Sequence, residues 1–81
     1  MYHSYQVICS KLALRDRPSL AAEVVSTLHQ NDKIECMIGE TKLAYGYLWR
    51  QTLSGLWIQA AVINYKGDVI QELAAWVDAK V

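Results

Sequence analysis

Residues 33–38 read Lys33, Ile34, Glu35, Cys36, Met37, Ile38. In an extended chain this order puts Ile34, Cys36 and Ile38 on one side and Lys33, Glu35 and Met37 on the other. A period of two is the pleat of a β-strand with one wet face, and a helix, which turns its side chains by about 100° per residue, cannot use it. In a chain of 81 residues one such strand constrains everything else. A chain this short buries only about 60% of its unfolded surface, so it has room for one core, and the segments beside the strand must supply its partners. The expectation is one domain over residues 1–81.

The neighbouring segments suit that role. Tyr5-Gln6-Val7-Ile8-Cys9 alternates and is rich in residues that fit a pleated surface, and Glu23 to His29 is short and β-branched, which favours strands over helices. Gln30-Asn31-Asp32 offers a polar turn between two of these strands. Arg15-Asp16-Arg17-Pro18-Ser19 gathers charge, proline and serine and reads as an exposed loop, held to the core by Leu12, Leu14 and Leu20. Beyond Gly39, the aromatic run Tyr45 to Leu53, the Ser54-Gly55 turn and Leu56-Trp57-Ile58 suggest a hairpin. The nearly unbroken apolar run from Leu56 to Ile63 suggests a strand covered on both faces.

Residues 65–81 admit two readings. Tyr65-Lys66-Gly67-Asp68 is either a hairpin turn between strands or the lead-in to a helix, in which Asp68 caps, Gln71 completes a capping box, and Val69, Leu73, Trp76 and Val77 form one apolar stripe.

Leu12-Ala13-Leu14-Arg15-Asp16-Arg17-Pro18-Ser19 resembles the opening signature of bacterial SH3-like domains, a leucine-x-valine-arginine segment followed by a glycine-proline-serine turn, with Arg17 where the glycine is usual. Val24-Val25 and Leu28 resemble the family's next strand, and Lys33-Ile34-Glu35-Cys36 the one after. Asn31 stands where a turn glycine is customary, a mild change because asparagine tolerates a left-handed backbone. Trp76-Val77-Asp78-Ala79-Lys80-Val81 resembles the closing segment, which leaves Trp57 or Trp49 for the family's earlier tryptophan; the other alignment makes Trp57-Ile58 the closing pair and the tail an added helix. The resemblance implies an all-β fold, a small SH3-like barrel of five to six short strands with or without a C-terminal helix, and a non-catalytic binding module.

Charge and chemistry narrow the function. Eight basic and eight acidic side chains cancel, removing the positive field that a phosphate-tracking protein uses, so nucleic acid is not an expected partner. Thr41 to Gly67 contains no acidic residue but holds Lys42, Arg50 and Lys66, read here as solvated surface charges. His3 and His29 sit at a chain end and a strand end. Cys9 and Cys36 are too isolated for a zinc site or a disulfide framework, and their apolar flanks suit reduced core residues better than activated nucleophiles, with a single bridge between them as the alternative. Gly39, Gly46, Gly55 and Gly67 are dispersed as turn glycines, not gathered in a phosphate loop. No catalytic residue, metal or cofactor is expected.

What remains is aromatic surface. Tyr45, Tyr47 and Trp49 cluster and Trp57 follows on a neighbouring strand; together they form the expected ligand groove, with Arg15 and Asp16 as its polar rim. The plainer alternative makes Trp57 and Trp76 core and the tyrosines half exposed, with Trp49 divided between groove and core. The expected partner is a peptide, in particular a cell-wall (peptidoglycan) peptide. The alternative is a small adaptor or assembly subunit that pairs with a protein partner or with itself as a homo-oligomer through a sheet edge or the apolar tail. The amino terminus shows neither a signal peptide nor a membrane span, so a complete chain is expected to be cytoplasmic, and a piece of a secreted parent extracellular or periplasmic.

Overall fold

The segments expected as strands form strands, the first ending at Val7 and not at Cys9, and residues 11–15, 69–72 and 74–77 add three more. The computed structural model describes residues 1–77, which form β1 (Tyr2–Val7), β2 (Lys11–Arg15), β3 (Val24–His29), β4 (Lys33–Ala44), β5 (Tyr47–Thr52), β6 (Trp57–Ile63), β7 (Val69–Glu72) and β8 (Ala74–Val77). All pairings are antiparallel, in the order β3-β2-β6-β5-β4-β1-β8, with β7 also on β6. The sheet curls strongly into a half-barrel. There are eight strands rather than five or six, and no helix among the described residues.

The expected C-terminal helix is replaced by β7 and β8 as far as Val77; its remaining residues, Asp78 to Val81, lie outside the described ones. Asn64 shapes the turn that leads into β7. Its Oδ1 accepts the backbone N–H of Lys66 at 2.9 Å and of Asp68 at 3.0 Å, so the Asp68 N–H is held in a turn instead of opening a helix. Gly67 takes φ +88° and the chain reverses onto the edge of β6, whose Val62 faces Gln71.

The core follows the pleat. Tyr5 and Val7, Leu12 and Leu14, and Ile58 and Ala60 project inward two apart along their strands and join Cys36 and Ala74 in one buried cluster. Leu28 and Ile34 pack against its margin. Every residue of β6 is at least half-buried, as its apolar run anticipates: one edge pairs with β5, the other with β2 at Trp57 and with β7 from Ala61.

Three local departures from the alternation have backbone causes. Cys36 faces Thr52, but the next pair is Thr41 with Arg50, so four residues of β4 oppose one of β5. Gly39, at φ +85°, lies in this irregularity, and Ile38, expected inside, ends 46% exposed. Tyr45 and Gly46 leave the aromatic run to form a two-residue hairpin turn with both φ positive, +58° and +81°, the type I′ geometry that matches strand twist. The third is a bulge in β6: Leu48 faces Ala61 and Trp49 faces Gln59, leaving Ala60 without a counterpart.

Leu73, the single residue between β7 and β8, joins the two sides of the curl. Its N–H donates to the carbonyl of the bulged Ala60 at 2.9 Å, and its own carbonyl accepts from Ile8 N–H at 2.9 Å. The same stretch of chain therefore leaves β6 as β7 and arrives at β1 as β8. Asn31 adopts φ +76°, the left-handed turn its position implies. In the loop after β2, Leu20 is 47% exposed and does not anchor it; Ala22 is buried instead, and Arg15 Nη1 ties the loop down by donating to the carbonyls of Leu20 and Ala22 at 3.2 and 3.0 Å.

Candidate functional site

The aromatic groove expected around Tyr45, Tyr47, Trp49 and Trp57 does not form as one patch. Trp49 is fully buried; its indole N–H donates to the Ala44 carbonyl at 2.9 Å and its ring meets Tyr47 edge-on, centroids 6.1 Å apart. Trp49 is thus a structural residue of the β4–β5 hairpin. Tyr45 is exposed on the turn beside it. Tyr47 and Trp57 are both half-buried, but Tyr47 faces Val62 while Trp57 faces Gln51, which separates them by about 15 Å along β6.

The polar rim also has other work. Arg15 spends its guanidinium on the loop carbonyls, and Asp16 meets only Arg17, at 3.6 Å on the surface, a pair worth little in water. Trp57 faces Arg15 across β6 and β2, so these residues adjoin one another without enclosing a space.

A concavity lies elsewhere, inside the curl. Its volume is about 220 Å³, smaller than the roughly 300–1,000 Å³ of drug-sized ligand pockets and suited to one or two side chains. Ala60, Ala61 and Ala74 line its buried end. The bulge at Ala60 explains why two consecutive residues of one strand both face it, and the small side chains leave the space open. Leu48 and Arg50 reach it from β5 and Tyr5 from β1, while Val69, Glu72 and Trp76, all exposed, stand at the mouth.

Its polar groups are few and placed. The Arg50 guanidinium lies over the Tyr5 ring, 4.8 Å from the centroid, a cation–π contact that orients a long side chain. No described carboxylate forms an ion pair with Arg50. Burial pushes the Tyr5 hydroxyl's pKa upward, with Arg50 pulling the other way, so the hydroxyl stays protonated at neutral pH and can donate. Among the described residues, Glu72 is the other ionisable side chain on the walls besides Arg50 and Tyr5. At the mouth the Trp76 ring stacks on His3, centroids 4.5 Å apart and planes at 29°, which fixes it although 61% of the residue is exposed.

Arg50 is therefore not the plain surface charge its segment suggests, and Tyr5, Arg50 and Trp76 are the residues the sequence did not single out as a site. No local signal marks them: Tyr5 is set opposite Trp76 by the β1–β8 register, and Arg50 reaches the Tyr5 ring from two strands away.

Catalytic chemistry has little to work with. Cys36 is buried, and burial pushes its thiol up to about 11, opposite to the direction a nucleophile needs. Cys9 and Cys36 are both free thiols, and Cys9 points its Sγ to the Lys11 carbonyl at 3.1 Å. No group of three or more potential metal ligands occurs among the described residues, and no helix among them is long and apolar enough to cross a membrane. Comparison with models of known families, with characterised proteins and with solved structures finds no match.

Proposed function

We propose that this chain is a non-catalytic binding module of SH3-like type, which takes an extended peptide, such as a cell-wall peptide, by seating one end of it in the cavity inside the curl. The resemblance over residues 12–36 and the curled all-β sheet support the type. The observation that carries the ligand class is the cavity of about 220 Å³, with small residues at its buried end, Trp76 held at its mouth and Arg50 laid on Tyr5. Rigid aromatics and an oriented arginine are the residues that dominate contact energy in peptide recognition.

Co-sedimentation with purified peptidoglycan tests the reading, with wild type beside Trp76→Ala and Ala61→Leu. The first removes the mouth and the second fills the space. Retention of wild type with loss in both variants supports it. Equal retention of all three shows that the cavity is not the binding site.

A second reading, self-association, has its own support in β3. Among the described residues this strand pairs with no other strand than β2, and Val24-Val25-Ser26-Thr27-Leu28-His29 contains no lysine, acidic residue or proline. Those are the usual devices that keep an open edge from pairing.

A further inference from the structure

The cavity's charges define its occupant more closely than its shape. Arg50 offers a fork of N–H donors with no described carboxylate to receive them, and Tyr5, whose ring lies under the guanidinium at 4.8 Å, lines the same space. A guanidinium fork beside a phenol suits an acceptor with two oxygens. Glu72 on the same walls opposes a second negative charge, which disfavours a phosphate dianion and tolerates a monoanion. The other described residues around these are apolar: the alanines of the buried end, Leu48, Val69 and the Trp76 ring.

We propose that the cavity binds the C-terminal carboxylate of a peptide, with Arg50 and Tyr5 holding the carboxylate and the alanine-lined end accepting a small terminal side chain. This deepens the proposed function and rests on it. A carboxylate on guanidinium is a charge-assisted and often bidentate pair, stronger than a neutral hydrogen bond. The Arg50–Tyr5 stack holds the fork in place before the ligand arrives, which lowers the cost of ordering it. Trp76, stacked on His3 at the mouth, is placed to cover the penultimate peptide unit. A protein C-terminus and a wall stem peptide both end in such a carboxylate, and they differ in the handedness of the terminal residues.

The test titrates the full chain with N-acetyl-alanyl-alanine as the L,L and the D,D isomer, with the C-terminal amides of both, and with inorganic phosphate. Binding is followed by the indole N–H resonance of Trp76 and the guanidinium resonance of Arg50. The expected result is saturable movement of both signals with at least one free acid, and binding of its amide weaker by roughly tenfold or more, as loss of a charge-assisted pair implies. Preference for the L,L or D,D acid assigns the source as protein terminus or wall peptide.

Arg50→Gln is expected to make acid and amide bind alike, and Glu72→Gln, an exposed change that leaves the fold alone, to tighten the acid about two- to threefold by removing repulsion. Should Arg50→Gln fail to fold, the comparison of acid with amide on wild type and the Glu72→Gln arm decide without it. Equal binding of acid and amide by wild type overturns the carboxylate assignment while leaving the peptide-cavity reading intact. No movement of Trp76 with any peptide overturns both, and phosphate competing as well as the free acid reduces the site to a general anion site.

Discussion

The indole N–H of Trp49 donates to the carbonyl of Ala44 across the mouth of the β4–β5 hairpin, at 2.9 Å. One side chain thereby fills buried space and satisfies a backbone group next to the Tyr45–Gly46 turn. Trp49→Ala is expected to cost roughly 3–5 kcal/mol in a urea melt, the range for removing a large buried ring, a large share of what a domain of this size has. Trp49→Phe keeps much of the ring and loses the donor, and the expected cost is about 1–2 kcal/mol. Equal, small losses in both variants would show that the ring is not packed.

Alkaline pH should weaken the fold through Cys36. Burial raises its thiol from 9.0 to about 11, so the unfolded chain releases this proton first. The stabilisation is complete below about pH 9 and is lost as pH rises toward 11, by roughly 2–3 kcal/mol. Urea melts from pH 8 to 11 check this, and Cys36→Ala should flatten the profile over that window. Tyr5, whose pKa is also raised by burial, leaves a residual slope above its ordinary 10.0. Thiol titration adds a second check, with Cys36 reacting only after unfolding.

The Asn64 side chain gives a local prediction. Asn64→Ala removes the acceptor of two backbone N–H groups and should cost about 1 kcal/mol or somewhat more. Because β7 carries Val69 and Glu72 to the cavity mouth, amide exchange should quicken first at residues 69–72. Unchanged exchange there would mean that the turn stands without the side chain.

The open edge of β3 predicts concentration-dependent association of wild type by sedimentation equilibrium. Thr27→Lys places a charge in the middle of that edge and is expected to leave a monomer of unchanged stability. If both proteins sediment alike at every concentration, β3 is not a contact between copies.

How far the sequence could be read depended on whether a feature was local. Asn31 announces its own turn, Leu56 to Ile63 announces a strand with two covered faces, and Leu12 and Leu14 announce their burial by pattern alone. Ile38 deceives because the pleat is interrupted one residue later, at Gly39, and alternation cannot report an interruption it does not contain. Residues 68–77 carry an apolar stripe that fits a helix, and the strand prevails because β6 and β1 both have edges to pair with, a tertiary fact. The cavity was the least legible feature. It needs a bulge at Ala60, two consecutive alanines turned inward, and Trp76 set beside Tyr5 from the other end of the sequence. None of these is a motif, so the aromatic run Tyr45 to Trp49 stands out in the sequence and the grouping of Tyr5, Arg50 and Trp76 does not.

The place of Leu73 also sets an order of events in folding. β2 can find β3, and β4 can find β5, across short loops and at small entropic cost, whereas β1 must wait for β8 across nearly the whole chain. On a ribosome, residues 1–63 would emerge and begin to pair with the curl still open, its apolar interior facing water and the edges of β6 and β1 unanswered. Only when residues 69–77 arrive does one strand clasp both sides at once, through Ala60 and Ile8. The same event puts Val69, Glu72, Ala74 and Trp76 around the cavity. A chain clipped before residue 69 would therefore be adhesive, its apolar interior exposed and the walls of the cavity never brought together.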